Sequence, residues 1–513
     1  MTSLLSALFD ATPRPGLQPV PNTKPLTFEA AVLPPIIYFL ALLFLPPPPP
    51  QSFDTLAVKL LRNALALLAG VLFFRLPLAY YVPQSIGLNY QLALVGLYGG
   101  CRVLDAFFIS PYGFGHIPRR VRYKHISRAH TPMPVEADNE PQANAKGGAK
   151  AGDDEQPVSD TVSDAVQHAR RGSLADSYFV LEKKLSDLSE MKPVYELATS
   201  EEGWPHNFFD RASWALELET SMRGIGFTWT TADVRHTRKT WLPTAKNRLH
   251  SILLHVGPVL AGCFVIIRTT YVKYLEGAPQ AEFGVHTEDL FDSRLPLWLQ
   301  LLLTAALGAF LMAAFSVAHS MAAIMLSPLA PSPLAFFPPL YSTRIWDIKS
   351  VRGFWSYGWH RLFARLFLVY GVWPGEWLER KLTGKRSDEP ADVGKVLGGF
   401  ISSAFVHSFA VRSVLGGEWS RALGEAKFFA ANGFAVVLEE GIRRQVMSWR
   451  KKRDLPLEMW YDSWIGRIWW IAVLLLLLTL FLGCPHDCNV LAPCLMLGNQ
   501  LIAITHLRKL LIM

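Results

Sequence analysis

Two histidines are the side chains of this sequence best placed to do chemistry. His407 falls near the middle of the apolar stretch GGFISSAFVHSFAV (398–411), and an ionisable group inside a membrane segment is a functional candidate by default. On a helix, Ser403 stands one turn before it and Gly399 one turn before that. Small residues on that face leave room for a substrate, or else for the backbone of a neighbouring helix in a plain packing seam. Histidine titrates near neutral pH, which suits it to act as a general base on a hydroxyl. His360 lies 47 residues earlier, in RGFWSYGWHRLFARLF (352–367). Phe354, Trp355, Tyr357 and Trp359 suit a membrane interface, and taken alone they read as an aromatic belt with Arg361 and Arg365 snorkelling to water. With His360 included, the passage reads as a polar constellation at the mouth of a tunnel. His255, His319 and His506 also lie in or beside apolar segments. They lack such surroundings and read as structural.

The elements that must position these groups are membrane helices. Half of the 513 residues are hydrophobic and only 18% are charged, against about 25% in an average soluble chain. The net charge of +8 comes from short basic clusters beside apolar runs. That pattern fits cytosolic anchoring and not a nucleic-acid-binding face. A span needs about 20 apolar residues, and stretches of that kind occur at 28–46, 60–81, 86–110, 250–274, 296–326, 393–415, 426–446, 464–483 and 490–511. The fold class is therefore an all-α integral membrane protein, a multi-pass helical bundle of about nine spans. The shorter apolar segment 361–374 reads as re-entrant or interfacial. No basic region precedes the first apolar run near Phe28, so that run is expected to stay as an anchor. The proline run at 45–51 stops it, since proline cannot continue a helix.

Charge sets the orientation. Basic residues at both ends of 111–249 place that loop in the cytosol, as Arg508 and Lys509 place the C-terminus. The acidic loop 275–294 is lumenal. The chain then divides into an N-terminal tail (1–27), three spans (28–110), the cytosolic loop (111–249) and a membrane domain that carries both histidines and is the candidate catalytic domain (250–513). Residues 131–175 lack a hydrophobic period and are expected to be disordered; Ser173 within RRGSL reads as a chance match to a kinase site. Residues 176–191 have an amphipathic helical pattern. No internal repeat is visible.

Three motifs carry a family resemblance. Arg352, Phe354, Trp355, Trp359 and His360 match an Arg-x-Phe-Trp-x-x-x-Trp-His loop. RASWALELETSMRGIGFTW (211–229) holds an Arg-Gly-Ile-Gly-x-x-Trp segment, and FFAANGFAVVLE (428–439) ends on Glu439. Together with His407 these resemble the membrane-bound O-acyltransferase superfamily. The closer likeness is to its wax-synthase-like branch, which includes fungal acetyltransferases of terpenoid pathways. Residues from about 327 to 446 correspond to the wax-synthase-like region. The loop departs from the pattern at Ser356-Tyr357-Gly358, where more basic residues are common.

The resemblance implies a bundle enclosing a reaction tunnel. It implies His407 as general base on an acceptor alcohol, and His360 as the group that orients the thioester or stabilises its developing charge. Trp355, Trp359, Arg352 and Ser403 are the implied substrate-binding residues. The co-substrate is acyl-CoA, acetyl-CoA foremost, with no tightly bound cofactor and no metal. The partners are the lipid bilayer, acyl-CoA and a hydrophobic alcohol, with the endoplasmic reticulum as the compartment. Long-chain wax ester synthesis is the alternative within the class; a transporter or a non-catalytic scaffold is the alternative outside it. Glu439 gains a helix-fixing role from the resemblance, whereas spacing alone gives Glu439 and Glu440 an ion-pair set with Arg443 and Arg444. Two short patterns compete weakly. HNFFD (206–210) fits the His-x-x-x-Asp of soluble acyltransferases, and Cys484, Cys488 and Cys494 are too few and poorly spaced for zinc; their disulfide state is open.

Overall fold

The computed structural model describes residues 19–45, 55–83, 86–113, 122–125, 195–198, 207–225, 245–270, 296–326, 344–386 and 389–482, with a few further residues between them. The segments 131–175, 176–191 and 490–511 lie outside the described residues, as do His506, Cys484, Cys488 and Cys494.

Helices dominate, and their ends follow from local chemistry. α1 (Phe28–Leu43) starts where Thr27 accepts from the Ala30 amide, and α2 (Leu56–Ala79) where Thr55 accepts from Val58. Such caps satisfy amides that a helix start leaves open. Two arginines meet the other end of α1: Arg62 donates to the Phe44 carbonyl at 3.1 Å and Arg211 to Leu45 at 3.0 Å. Cations there match the negative end of the helix dipole. β1 (Lys24–Pro25) pairs with β2 (Tyr80–Tyr81) and ties the N-terminal segment to the end of α2.

α3 (Ile86–Leu104) runs on as a π-wound stretch, Asp105–Gly113. β3 (Arg122–His125) and β4 (Tyr195–Ala198) form an antiparallel pair. α4 (Phe208–Thr220) begins at Asn207, which accepts from the Asp210 amide. The HNFFD pattern therefore opens a helix, with Phe208 and Phe209 exposed; His206 lies outside the described residues. α4 falls within 111–249, yet it is part of the membrane domain's core. Trp214, Ala215 and Leu218, with Phe227 and Trp229, pack against Tyr38, Leu42, Ala69, Phe73 and Phe107 of the first three helices.

α5 (Ala245–Thr270) and α6 (Leu297–Leu326) pack on each other. A short turn, Val351–Gly353, continues as a π turn, Phe354–Gly358. After Ala364–Phe367 the helix rewinds through Leu368–Val372 into α7 (Trp373–Thr383). The 361–374 segment is thus broken helix and not a straight span. α8 (Asp392–Arg412), α9 (Trp419–Lys452) and α10 (Asp462–Leu482) complete the described chain. α8 sits centrally, against α3, α7 and α9.

Among the described residues, five helices are long and apolar enough to cross a membrane: 56–79, 87–113, 245–270, 297–325 and 392–412. Their outward faces carry Leu60, Leu67, Val71, Leu253, Val265 and Phe405. A soluble monomer does not expose apolar patches on that scale, whereas lipid accommodates them. The chain is an all-α multi-pass membrane protein.

Candidate functional site

α8 can cross close to α7 because glycine meets glycine. A Cβ on Gly398 would lie 2.1 Å from the Gly371 carbonyl oxygen, and one on Gly375 would lie 2.1 Å from that of Gly394. Gly399 has no such neighbour; the nearest atom, Val372 Cγ2, is 3.4 Å from its Cβ position. The packing seam is therefore Gly394, Gly398 and Ser402. It lies one residue around the helix from the face that carries Gly399, Ser403 and His407.

His407 faces α3 and α9. Its Nδ1 is 2.8 Å from the Tyr90 hydroxyl, and its ring stacks on Phe429 with centroids 4.6 Å apart and planes at 18°. Ser403 is buried one turn below. The imidazole is thus gripped on one edge and one face.

The aromatic loop is fixed from α9. Ser350 accepts from the Gly353 amide, and the Glu439 carboxylate accepts from the amides of Val351 at 2.8 Å and Arg352 at 3.4 Å. Glu439 therefore holds the start of the turn that presents Phe354 to Gly358. Arg352 lies 3.5 Å from Glu440, and Glu440 also pairs with Arg443 and Arg444. Trp355 donates from Nε1 to Asn432 Oδ1 at 3.0 Å, and Asn432, fully buried, donates in turn to the Phe428 carbonyl. The Trp355 ring lies 5.6 Å from Phe429, which stacks on His407, so aromatic contact is continuous from the loop to α8. Phe354 stacks on Trp470 of α10.

The π turn closes where the Trp359 amide donates to the Phe354 carbonyl, and Trp359 itself is extended. That bend turns His360 inward. Its ring lies 5.1 Å from Trp359 and 5.4 Å, edge-on, from Phe315 of α6. His407 and Arg223 are both within electrostatic range of it. Nδ1 of His360 is buried and has no hydrogen-bond partner among the described residues. An unmet polar atom beside a second histidine is where a ligand's polar group would be expected.

Several residues of this neighbourhood escape a reading of the sequence. Arg223 is buried, and its Nη2 is 3.1 Å from Nε2 of His319. Gly224, at φ +68°, makes the turn that follows it; only glycine enters that region without strain. The Arg-Gly-Ile-Gly motif thus delivers a cation towards the His360 side, and His319 contacts that cation in a structural role. Arg365 does not snorkel. Its Nε and Nη2 donate to Asp105 at 2.8 and 3.1 Å, Nη2 also donates to Ser110, and the guanidinium lies over Trp229 and Trp373. Asp105, an acid in an apolar stretch, was the available signal. Tyr90 and Phe429 left none. Among the described residues no three His, Cys, Asp or Glu side chains gather as metal ligands.

Residues 336–431 match the model of the membrane bound O-acyl transferase family. That interval holds the aromatic loop, His360, α7, His407 and Phe429, and over it the chain is similar to the membrane-bound O-acyltransferases. A curated relative, acetyltransferase ple2 of Rhodocybe pseudopiperita, is 28% identical over 127 residues, which cover 25% of this chain and 31% of the relative. The match thus spans about a third of the relative's length. No solved structure matches the chain.

Proposed function

We propose that the protein transfers an acetyl group from acetyl-CoA to the hydroxyl of a hydrophobic alcohol, such as a terpenoid secondary metabolite, in the endoplasmic reticulum membrane. The observation that supports the reading is that His407, held by Tyr90 and Phe429, is within electrostatic range of His360, whose Nδ1 is buried without a partner among the described residues. The family match supports the acyl-transfer class, and the relative's name supports acetyl as the group.

His407 takes the acceptor's hydroxyl proton as the oxygen attacks the thioester carbonyl, because an alcohol is a poor nucleophile unless a base removes that proton. The carbonyl oxygen gains negative charge, which His360 meets as a donor, with Arg223 adding positive potential from nearby. The carbon–sulfur bond then breaks. The coenzyme A thiolate leaves with the proton held by the His407 imidazolium, so the ester and free thiol balance the step. No covalent acyl-enzyme is needed. Trp355, Trp359 and Ser403 shape the reacting space. Arg352, paired with Glu440 at the start of the loop, binds the substrate from there. Acyl-CoA enters from the basic cytosolic side, where Lys and Arg meet its phosphates, and the alcohol enters from lipid.

The test uses microsomes containing the full chain, radiolabelled acetyl-CoA or palmitoyl-CoA, and a panel of terpenoid and fatty alcohols. Ester formed from acetyl-CoA and lost in His407→Ala is the expected result. Ester from palmitoyl-CoA alone transfers the reading to wax synthesis. Undiminished transfer by a folded His407→Ala protein, or no ester from any pair, overturns it.

A further inference from the structure

We infer that Tyr90 is a positioning residue that sets the tautomer of His407, accepting a hydrogen bond from Nδ1–H so that Nε2 keeps its lone pair for the acceptor hydroxyl. The inference rests on the acyl-transfer reading above and adds a residue that neither the motifs nor the matched interval contains. Tyr90 is on α3, 317 residues from His407.

The 2.8 Å contact between the Tyr90 hydroxyl and Nδ1 is compatible with two proton placements. If the phenol donates, Nδ1 is the acceptor and the neutral ring carries its proton on Nε2. That ring presents a donor to the reacting space and cannot take a proton there. If Nδ1–H donates, Nε2 is left unprotonated, which is what a base requires. The surroundings divide the task. Phe429, stacked at 4.6 Å with an 18° tilt, fixes the plane of the ring. A ring in a fixed plane still has two edges, and Tyr90 selects which one faces α3. The same bond gains strength as the reaction proceeds. When Nε2 accepts the proton, Nδ1–H belongs to an imidazolium and its bond to the phenol oxygen becomes charge-assisted. A bond stronger in the transition state than in the ground state raises the rate of the chemical step.

Tyr90→Phe keeps the ring and removes only the oxygen. The expected outcome, with acetyl-CoA and the best alcohol of the panel, is a kcat lower by about 10–100-fold, the range seen when the partner that orients a metal-bound imidazole is removed. KM for both substrates stays within about twofold, because Tyr90 acts on the ring and not on substrate. Added to His407→Ala, the same substitution has no further effect. Full kcat in Tyr90→Phe overturns the inference, as does a loss carried by KM together with a lower melting temperature, which marks a packing role. A readout without substrate uses protein with 15N-histidine, the His407 signals being assigned by their loss in His407→Ala. A proton on Nδ1 in the wild type supports the inference, and a proton on Nε2 refutes it. Full activity of His407→Ala instead refutes the base reading itself, so the two failures are distinguishable.

Discussion

Replacing Arg365 with alanine strands a carboxylate inside the protein. Asp105 is 2% exposed, and the side chains of the pair are 3% and 11% exposed. Arg365 supplies Asp105 with two hydrogen bonds, the rest coming from Ser110. Removing one partner of a buried ion pair costs about 3–5 kcal/mol, because the other charge stays buried without compensation. The lost contacts of the guanidinium with Trp229 at 4.9 Å and Trp373 at 5.3 Å add to this, about 0.5–1 kcal/mol each. Removing both charges, as in Asp105→Leu with Arg365→Met, leaves no stranded ion, and such replacements are often close to neutral. The double variant is therefore expected to be more stable than either single one. Thermal unfolding in detergent, followed by size-exclusion chromatography of a fluorescent fusion, gives the order: wild type, then double, then singles. Arg365 is five residues beyond His360, so the singles should also lose acyl transfer at temperatures where they remain folded. Singles that melt with the wild type, or a double variant that falls as far as the singles, would refute the reasoning.

Three further outcomes follow from the geometry. Gly375→Ala and Gly398→Ala each drive a methyl group against a backbone oxygen, so both should lower the melting temperature and the yield of folded protein, by about 1–3 kcal/mol or more. Gly399→Ala should fold normally, and the same melts check all three. Trp355→Phe leaves Asn432 Oδ1 buried without its donor, a cost of about 1–3 kcal/mol that thermal melts should show together with slower transfer. At the start of α10, ahead of the apolar stretch from 464, hydrogen bonds from Arg450 hold the Asp462 carboxyl down at about 2, below its ordinary 3.8. A depressed carboxyl stabilises the fold fully above pH 3.8 and loses that contribution as pH falls towards 2. The wild-type melting temperature should therefore drop more steeply over that interval than that of Asp462→Asn.

The helices were legible because each span must satisfy its backbone internally and show lipid an apolar face. That constraint writes itself into composition, and the boundaries of α3, α6 and α8 fall within a few residues of the apolar runs that predict them. α4 was hidden for the complementary reason. Its buried side chains, Trp214, Ala215 and Leu218, occupy one narrow stripe, and the opposite face carries enough charge to make the whole segment read as loop. The partner of Arg365 was hidden similarly. A single arginine near an interface has water as its default partner, and only the fold brings Asp105 from 260 residues away to replace it.

The site divides along the same line. His360 and His407 were visible because an imidazole in apolar surroundings is costly and stands out. Glu439 was visible because a motif marked it. Their supports were not, because a tyrosine or phenylalanine in a membrane helix is ordinary. Tyr90 becomes meaningful only when α3 crosses α8 and sets its hydroxyl 2.8 Å from Nδ1. Phe429 does so only when α9 stacks it on the same ring while another neighbour, Trp355, comes from the loop that carries His360. The two histidines are therefore joined through a third element, α9, which also supplies Glu439 and Asn432 to the loop. Moving α9 would displace the His360 loop and the face of His407 together. This makes α9, and not the loop, the element whose placement sets the two histidines relative to each other.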